Sequence, residues 1–256
     1  MFKFIIMLFS LCVHFSLYSA QIIYLNGTSS VGKTTIAKAL QEGLAEPYLR
    51  IGIDQVIQMM PDKINNWEGG AAPLGFSWKQ SRDAQGHQLQ LLQAGPFAQK
   101  MAGALREIVQ ALANNGFNVI VDDVALDQGA SAAWKQTLKD HDVLWVGLTA
   151  PLEIIEQREK QRGDRQLGQA RAAFAQVHQG FIYDHSFDTH AFATSEIVAK
   201  IKQSLAKHQA AAKITNQGLR PILPHIFPER TLRLEELHGE HVGRRHENPQ
   251  GTNATP

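Results

Sequence analysis

The run Gly27-Thr28-Ser29-Ser30-Val31-Gly32-Lys33-Thr34 constrains this chain more than any other stretch, because it fills every fixed position of G-x-x-x-x-G-K-[ST]. Its flanks have the character that pattern requires. Ile22-Ile23-Tyr24-Leu25 is apolar and predicts a buried strand, and Thr35 to Leu44 predicts a helix with Ala37, Leu40 and Leu44 on one face. Glycines at 27 and 32 let consecutive backbone N–H groups turn into one concavity, and the start of the helix adds its positive dipole end. A loop of this kind holds phosphate oxygens. In that reading all eight residues bind a nucleotide such as ATP. Lys33 reaches the terminal phosphates, and the Thr34 hydroxyl binds Mg2+. A strand-to-helix turn that is merely glycine-rich is the plainer alternative.

A chain of 256 residues allows one ordinary domain with extensions. Its 25 basic and 24 acidic residues leave a net charge of +1, so no basic field points to nucleic acid and no polybasic run to an anionic membrane. The one cysteine, Cys12, lies in the N-terminal apolar stretch, which leaves the globular part without a disulfide or thiolate metal site. Residues 1–20 resemble a secretory signal: Lys3, an apolar run from Phe4 to Val13, then Ser19-Ala20. The run is too short for a stable membrane span. Tyr18 fits poorly at the third position before a cut after Ala20, and Leu11 fits poorly before a lipid-bearing Cys12. Export or tethering through residues 1–20 is one expectation. The other is a cytoplasmic enzyme with a retained leader or an upstream start, and the need for ATP favours it.

Taken in order, Leu49 to Ile53 predicts a short strand after Pro47, with Asp54 at its carboxyl end, where open α/β sheets place ligands. Gln55 to Met60 predicts a short helix. Residues 62–97 form an aromatic-bearing insertion in which Phe76-Ser77-Trp78 and His87 to Leu91 allow a hairpin. Such an insertion is either a pocket-forming lid or a satellite cluster under a loop. Phe97 to Asn114 predicts a helix with Met101, Leu105, Ile108, Val109 and Leu112 facing the core, and Phe117 to Asp123 a buried strand ending in two carboxylates. Asp122, at a strand tip beside the loop, can hold Mg2+ or its waters; a capping or solvated aspartate is the alternative.

Ala130 to Leu138 predicts a helix and Asp142 to Leu148 another buried strand. The helix opened by Pro151 carries Arg158, Arg162 and Arg165, which share a face if it continues, though Gly163 suggests a break or hinge there. Such a segment can close over transferring phosphates. The plainer alternative is a solvated face paired with Glu156, Glu159 and Asp164. Ala170 to Gln179 predicts a helix, Tyr183 to Thr189 a strand and Ser195 to Lys207 the last helix, with the domain ending near His208. Residues 209–256 are rich in proline and charge and read as a flexible extension, in which His238, His241 and His246 are solvated rather than metal ligands. The order of elements predicts a three-layer α/β fold of the P-loop NTPase type with a mainly parallel sheet. One small domain with an arginine lid and no N-K-x-D guanine motif reads as a small-molecule kinase.

Leu25-Asn26-Gly27 through Thr34 resembles the opening of chloramphenicol phosphotransferase-like proteins. So do Glu46-Pro47-Tyr48-Leu49, Ile51-Gly52-Ile53-Asp54, Asp122-Asp123-Val124 and Asp142 to Gly147. Arg158-Glu159, Arg162-Gly163-Asp164-Arg165, Val177-His178 and Tyr183-Asp184 continue the match in collinear order across residues 21–205. The resemblance implies a fold similar to nucleotide and shikimate kinases and an activity that moves the γ-phosphoryl group of ATP to a primary hydroxyl of the antibiotic. It implies Asp54 as catalytic base, beside the catalytic candidates already read from the loop motif, Lys33, and from helical spacing, Arg158, Arg162 and Arg165. A carboxylate facing the phosphate site can take the hydroxyl proton as attack proceeds. The insertion matches the family only at Glu68-Gly69-Gly70 and Gly95-Pro96. The acceptor pocket is expected there, with Met59, Met60, Trp67, Phe76 and Phe97 as candidates. The expected partner is a small hydroxyl-bearing molecule: a chloramphenicol-like antibiotic by resemblance, or another metabolite or nucleotide sugar. The alternative class is a nucleotide-binding module with little turnover.

Overall fold

Ile22, Ile23, Tyr24 and Leu25 alternate between the two faces of β1 (Gln21–Asn26), and both faces are covered, which is why the whole strand is buried. The computed structural model describes residues 20–163 and 166–219, with side chains to 208. It contains β2 (Tyr48–Gly52), β5 (Asn118–Asp123), β6 (Asp142–Thr149) and β7 (His185–Asp188) beside β1 in a five-stranded sheet of order β2-β5-β1-β6-β7, with every neighbouring pair parallel. Ile23 and Leu25 face α1 (Lys33–Gly43), α5 (Leu152–Arg162) and α7 (Thr194–Leu219), where Ile36, Leu40, Ile155, Ile197 and Ile201 are buried. Ile22 and Tyr24 face α3 (Pro96–Asn114) and α4 (Gln128–Thr137), where Leu105, Val109 and Trp134 are buried. Each such side chain contributes about 1.5–3 kcal/mol on leaving water. The architecture is therefore three-layered, as the order of elements predicts.

The central position of β1 fixes the site. The chain leaves β1 toward β2, returns through β5, and continues to β6 on the other side. The carboxyl ends of β1 and its neighbours thus open a crevice where the strand order reverses, and the glycine loop lies at that point.

Two pieces lie outside the sheet. The antiparallel hairpin of β3 (Phe76–Arg82) and β4 (Gln88–Ala94) pairs Trp78 with Leu92 and Gln80 with Gln90. Its base packs Phe76 against Met60 and Ala98. The short helices α2 (Ile53–Gln58) and α6 (Gln169–Phe174) flank it, and Gln90 N–H donates to Gly168 O at 3.1 Å.

Helix α5 stops at Arg162, where Gly163 turns left-handed at φ 67°, the break that this glycine suggests. Other boundaries differ from the sequence reading. Helix α6 ends at Phe174, and turns follow. Strand β7 is four residues long, with Tyr183 drawn out of it into a stack on Phe181 at 5.3 Å. Helix α7 runs to Leu219, past His208. The chain divides into units Met1–Gln209 and Ala210–Pro256, and everything below concerns the first. The leader at 1–19, Arg165 and the tail histidines lie outside the described residues. Among the described residues no helix is long and apolar enough to cross a membrane.

Candidate active site

The loop from Gly27 to Thr34 turns through Ser30 at φ 62° and Gly32 at φ 102°, both left-handed. Glycine adopts that region readily, and Ser30 is the one other described residue that does so. No side chain caps the start of α1 and no carboxylate sits in its first turn, so its leading N–H groups face outward without an intrahelical partner. Lys33 is buried and donates from Nζ to Gly27 O and Thr28 O at 2.9 Å each. The hydroxyl of Ser30 is buried and meets no hydrogen-bonding partner. Outward-facing amides, a buried ammonium and an orphan hydroxyl fit a bound polyphosphate.

The crown of the loop is clamped by α5 and the turn after β7. Thr189, just past β7, donates its hydroxyl to Val31 O at 2.7 Å. Arg158 reaches over both, donating to Thr189 Oγ1 at 2.9 Å and to Thr189 O at 3.0 Å, with Val31 O at 3.5 Å. Arg158 therefore holds the loop's shape as well as lining the cavity beside it.

The two carboxylates at the end of β5 point to opposite faces, as successive strand residues must. Asp122 accepts the Thr34 hydroxyl at 2.6 Å and faces Arg50 at 3.6 Å. Asp123 turns into the core, where Trp134 Nε1 donates at 2.8 Å and Tyr24 OH at 3.3 Å. Burial pushes the Asp123 carboxyl above its usual range, against the opposing pull of the Val124 N–H, Trp134 and the Lys33 charge. Only Asp122 faces the cavity. The Thr34 and Asp122 oxygens form a donor set suited to Mg2+, which takes one or two protein oxygens and fills its octahedron with water and phosphate. Among the described residues there is no cluster of three metal-binding side chains.

Gly52 lets β2 come close to this tip. A Cβ at that position would lie 1.9 Å from Asp122 O. The next turn is set by Gln55, whose side-chain oxygen accepts the Gly52 N–H at 2.7 Å, and Asp54 stands in the first turn of α2 on the cavity wall. The cavity encloses about 950 Å3 and joins the loop, Asp54, Asp122, Arg158 and Arg162 to the hairpin and α6.

Behind the loop, Asn26 donates to Val177 O at 2.6 Å and to Tyr183 OH at 2.8 Å, and accepts from Ala125 N–H at 3.1 Å. Tyr183 OH also lies 2.8 Å from His178 Nδ1. Burial pushes the Tyr183 hydroxyl up to about 12. Burial, then the Lys33 charge, hold His178 below the usual imidazole range. A neutral His178 accepting the Tyr183 proton satisfies the whole chain.

Of the proposed acceptor residues, the structure brings only Trp67 to the cavity. Met60 and Phe76 are buried in the small cluster under the hairpin, because the strand base packs inward before Trp78 reaches the cavity. Met59, at the C-terminal end of α2, is 67% exposed, and Phe97 points outward from the first turn of α3 beside buried Ala98. Glu159 is not a solvated partner of the arginines. It is buried and accepts the N–H groups of Gly168 at 2.8 Å and Ala170 at 2.9 Å, tying down the start of α6. Glu156 pairs with Arg171, at 2.6 and 2.9 Å. Gln166 donates to Trp67 O, linking the stretch before α6 to the insertion. Trp78, Gln90, Gln169 and Gln176 also line the cavity and were not candidates. For Gln90 the signal was its place in the alternating Gln88-Leu89-Gln90-Leu91.

A phosphate loop at the switch point of a parallel sheet, sharing its cavity with Arg158 and Arg162 of α5, defines a P-loop kinase fold. The chain belongs to the chloramphenicol phosphotransferase-like protein family, whose model matches residues 20–206. It is 29% identical over 185 residues to the Mycobacterium tuberculosis protein named "Putative O-phosphotransferase Rv2636", covering 72% of this chain and 81% of that one, and a second strain's protein matches equally. The solved Mycobacterium tuberculosis APS kinase CysC, in complex with AMPPNP and APS, is similar with a TM-score of 0.52 at 14% identity. The match covers 73% of this chain and 98% of that one, and it speaks for the fold alone. Family and fold make this chain a P-loop small-molecule kinase or O-phosphotransferase.

Proposed function

We propose that the protein transfers the γ-phosphoryl group of ATP to a hydroxyl of a small molecule, a chloramphenicol-like antibiotic being the acceptor the family points to. The observation that carries this reading is one cavity lined by both the phosphate loop and Asp54, with Thr34 bonded to Asp122 at its floor. The loop amides and Lys33 hold the phosphates, and Arg158 and Arg162 offset charge that develops on the transferring group. Thr34 and Asp122 would hold Mg2+, which supplies further neutralisation of phosphate charge when bound. The acceptor oxygen forms the new bond to the γ-phosphorus as the bond from that phosphorus to the ADP oxygen breaks. The hydroxyl proton passes to an Asp54 carboxylate oxygen, and ADP leaves with the electron pair. The need for ATP supports a cytoplasmic location, which the mass of the native N-terminus tests.

The decisive experiment measures ATP consumption and product phosphorylation with chloramphenicol and a panel of hydroxyl compounds, for wild type and Asp54→Asn. Asp54→Asn is expected to lose about 10²–10⁴-fold in acceptor-dependent transfer, with nucleotide binding retained. Full transfer by that variant removes the base role.

A further inference from the structure

Asp122 Oδ2 accepts the Thr34 hydroxyl at 2.6 Å, and the same oxygen faces Arg50 Nη1 at 3.6 Å. Strand register brings Arg50 there. Gly52 of β2 stands opposite Asp122 of β5, and Arg50 stands opposite Ile120. Residues two apart on a strand share a face, so Arg50 lies on the side of Tyr48, Ile120 and Asp122, which α1 covers. A long side chain spans the diagonal from Arg50 to Asp122. β2 is an edge strand, where a basic residue commonly serves only to keep other strands off. This guanidinium is turned inward instead: the Arg50 side chain is 21% exposed and that of Asp122 9%.

At 3.6 Å the contact is one of charge rather than a hydrogen bond. A guanidinium keeps its proton at any working pH, so this charge is permanent. It offsets the largely buried Asp122 carboxylate when that carboxylate holds no metal. A divalent cation taking the same carboxylate meets a like charge beside it. The phosphates of a nucleotide in the neighbouring loop bring the negative charge that restores the balance. Metal arriving with nucleotide is therefore favoured over metal arriving alone.

Resting on the reading of Thr34 and Asp122 as the protein ligands of Mg2+, we infer that Arg50 is a positioning residue that makes metal uptake conditional on nucleotide. Acting through Asp122, it holds the carboxylate for Thr34 and opposes a divalent cation that comes without phosphates. The protein thus takes up Mg2+ together with ATP, and each ligand raises the affinity for the other by the same factor.

The test uses the full chain, with Mn2+ as the probe for the Mg2+ site and free Mn2+ read by electron paramagnetic resonance, so that no turnover is needed. Binding is measured without nucleotide and with AMPPNP bound. A unit charge a few ångströms from a divalent ion in a partly hydrated site changes affinity about 10-fold. Arg50→Met is expected to bind Mn2+ at least ~10-fold more tightly than wild type without nucleotide, and to gain less than wild type from AMPPNP. Arg50→Gln should follow Arg50→Met, whereas Arg50→Lys, which keeps a charge, should stay nearer wild type. Melting temperature reports the fold of each variant. The inference fails if Arg50→Met and Arg50→Gln keep the wild-type Mn2+ affinity, the result expected of a residue that only ties β2 to β5. If Asp122→Asn binds Mn2+ as wild type does in the presence of AMPPNP, the metal reading itself fails and takes this inference with it.

Discussion

The hydroxyl of Thr34 donates to Asp122 across 2.6 Å, joining the last residue of the phosphate loop to the tip of β5. One bond thus sets the spacing of the two oxygens proposed to hold the metal. Replacing Asp122 with Asn keeps an acceptor for Thr34 but removes the anionic ligand. Asp122→Asn is expected to raise the Mg2+ concentration for half-maximal transfer at least ~10-fold with little change in melting temperature. An unchanged Mg2+ titration would take Asp122 out of the metal site.

Gly52 is needed for contact rather than for conformation, since its φ of −156° is ordinary extended backbone. A methyl group there would lie 1.9 Å from Asp122 O, so β2 and β5 must separate. Gly52→Ala should cost about 1–3 kcal/mol in urea unfolding and lower kcat with it. Equal unfolding midpoints for variant and wild type would show that the tip yields without cost.

Glu159 satisfies two buried N–H groups, those of Gly168 and Ala170. Glu159→Ala leaves both without an acceptor, at about 1–3 kcal/mol each. Hydrogen exchange at these two amides should accelerate more than exchange in β1, and Glu159→Gln, which keeps one oxygen, should fall between. Uniform acceleration across the sheet would mean that Glu159 acts on global stability instead.

The lowered pKa of His178 predicts a pH dependence. Between its folded value and the ordinary 6.5, the unfolded chain binds the proton and the folded one does not. Stability from this group therefore rises with pH through that window, is full above 6.5, and is lost as pH falls through it. On going from about pH 7 to about pH 5, wild type should lose more unfolding free energy than His178→Asn, in which this titration is gone. Equal losses would place His178 in contact with water.

The parts of this structure that were legible in the chain are those where the meaning of a residue is local. The glycine loop, the apolar run of β1 and the helix after it are adjacent in sequence, and the alternation from Ile22 to Leu25 already assigns two faces. Arg162 follows from helical spacing in the same way. Glu159 does not. On an arginine-rich helix a glutamate looks solvated, and only the fold brings Gly168 and Ala170 onto it. Phe76 and Trp78 share a strand face by period, but the pattern does not say where the core ends and the cavity begins. Gln90 reads as one polar residue of an alternating strand, and its burial comes from α6, far away along the chain.

The hairpin is sewn to α6 at two levels: Gln90 to Gly168 through the backbone, and Asp83 to Arg171 at 3.4 Å, with Arg171 also bound to Glu156. A loop graft that exchanged residues 76–94 alone would therefore strip Arg171 of one carboxylate and loosen α6. On the proposed function, the cavity wall offered to an acceptor is thus not a detachable cassette, because the hairpin is tied through Arg171 to Glu156 on the helix that carries Arg158 and Arg162.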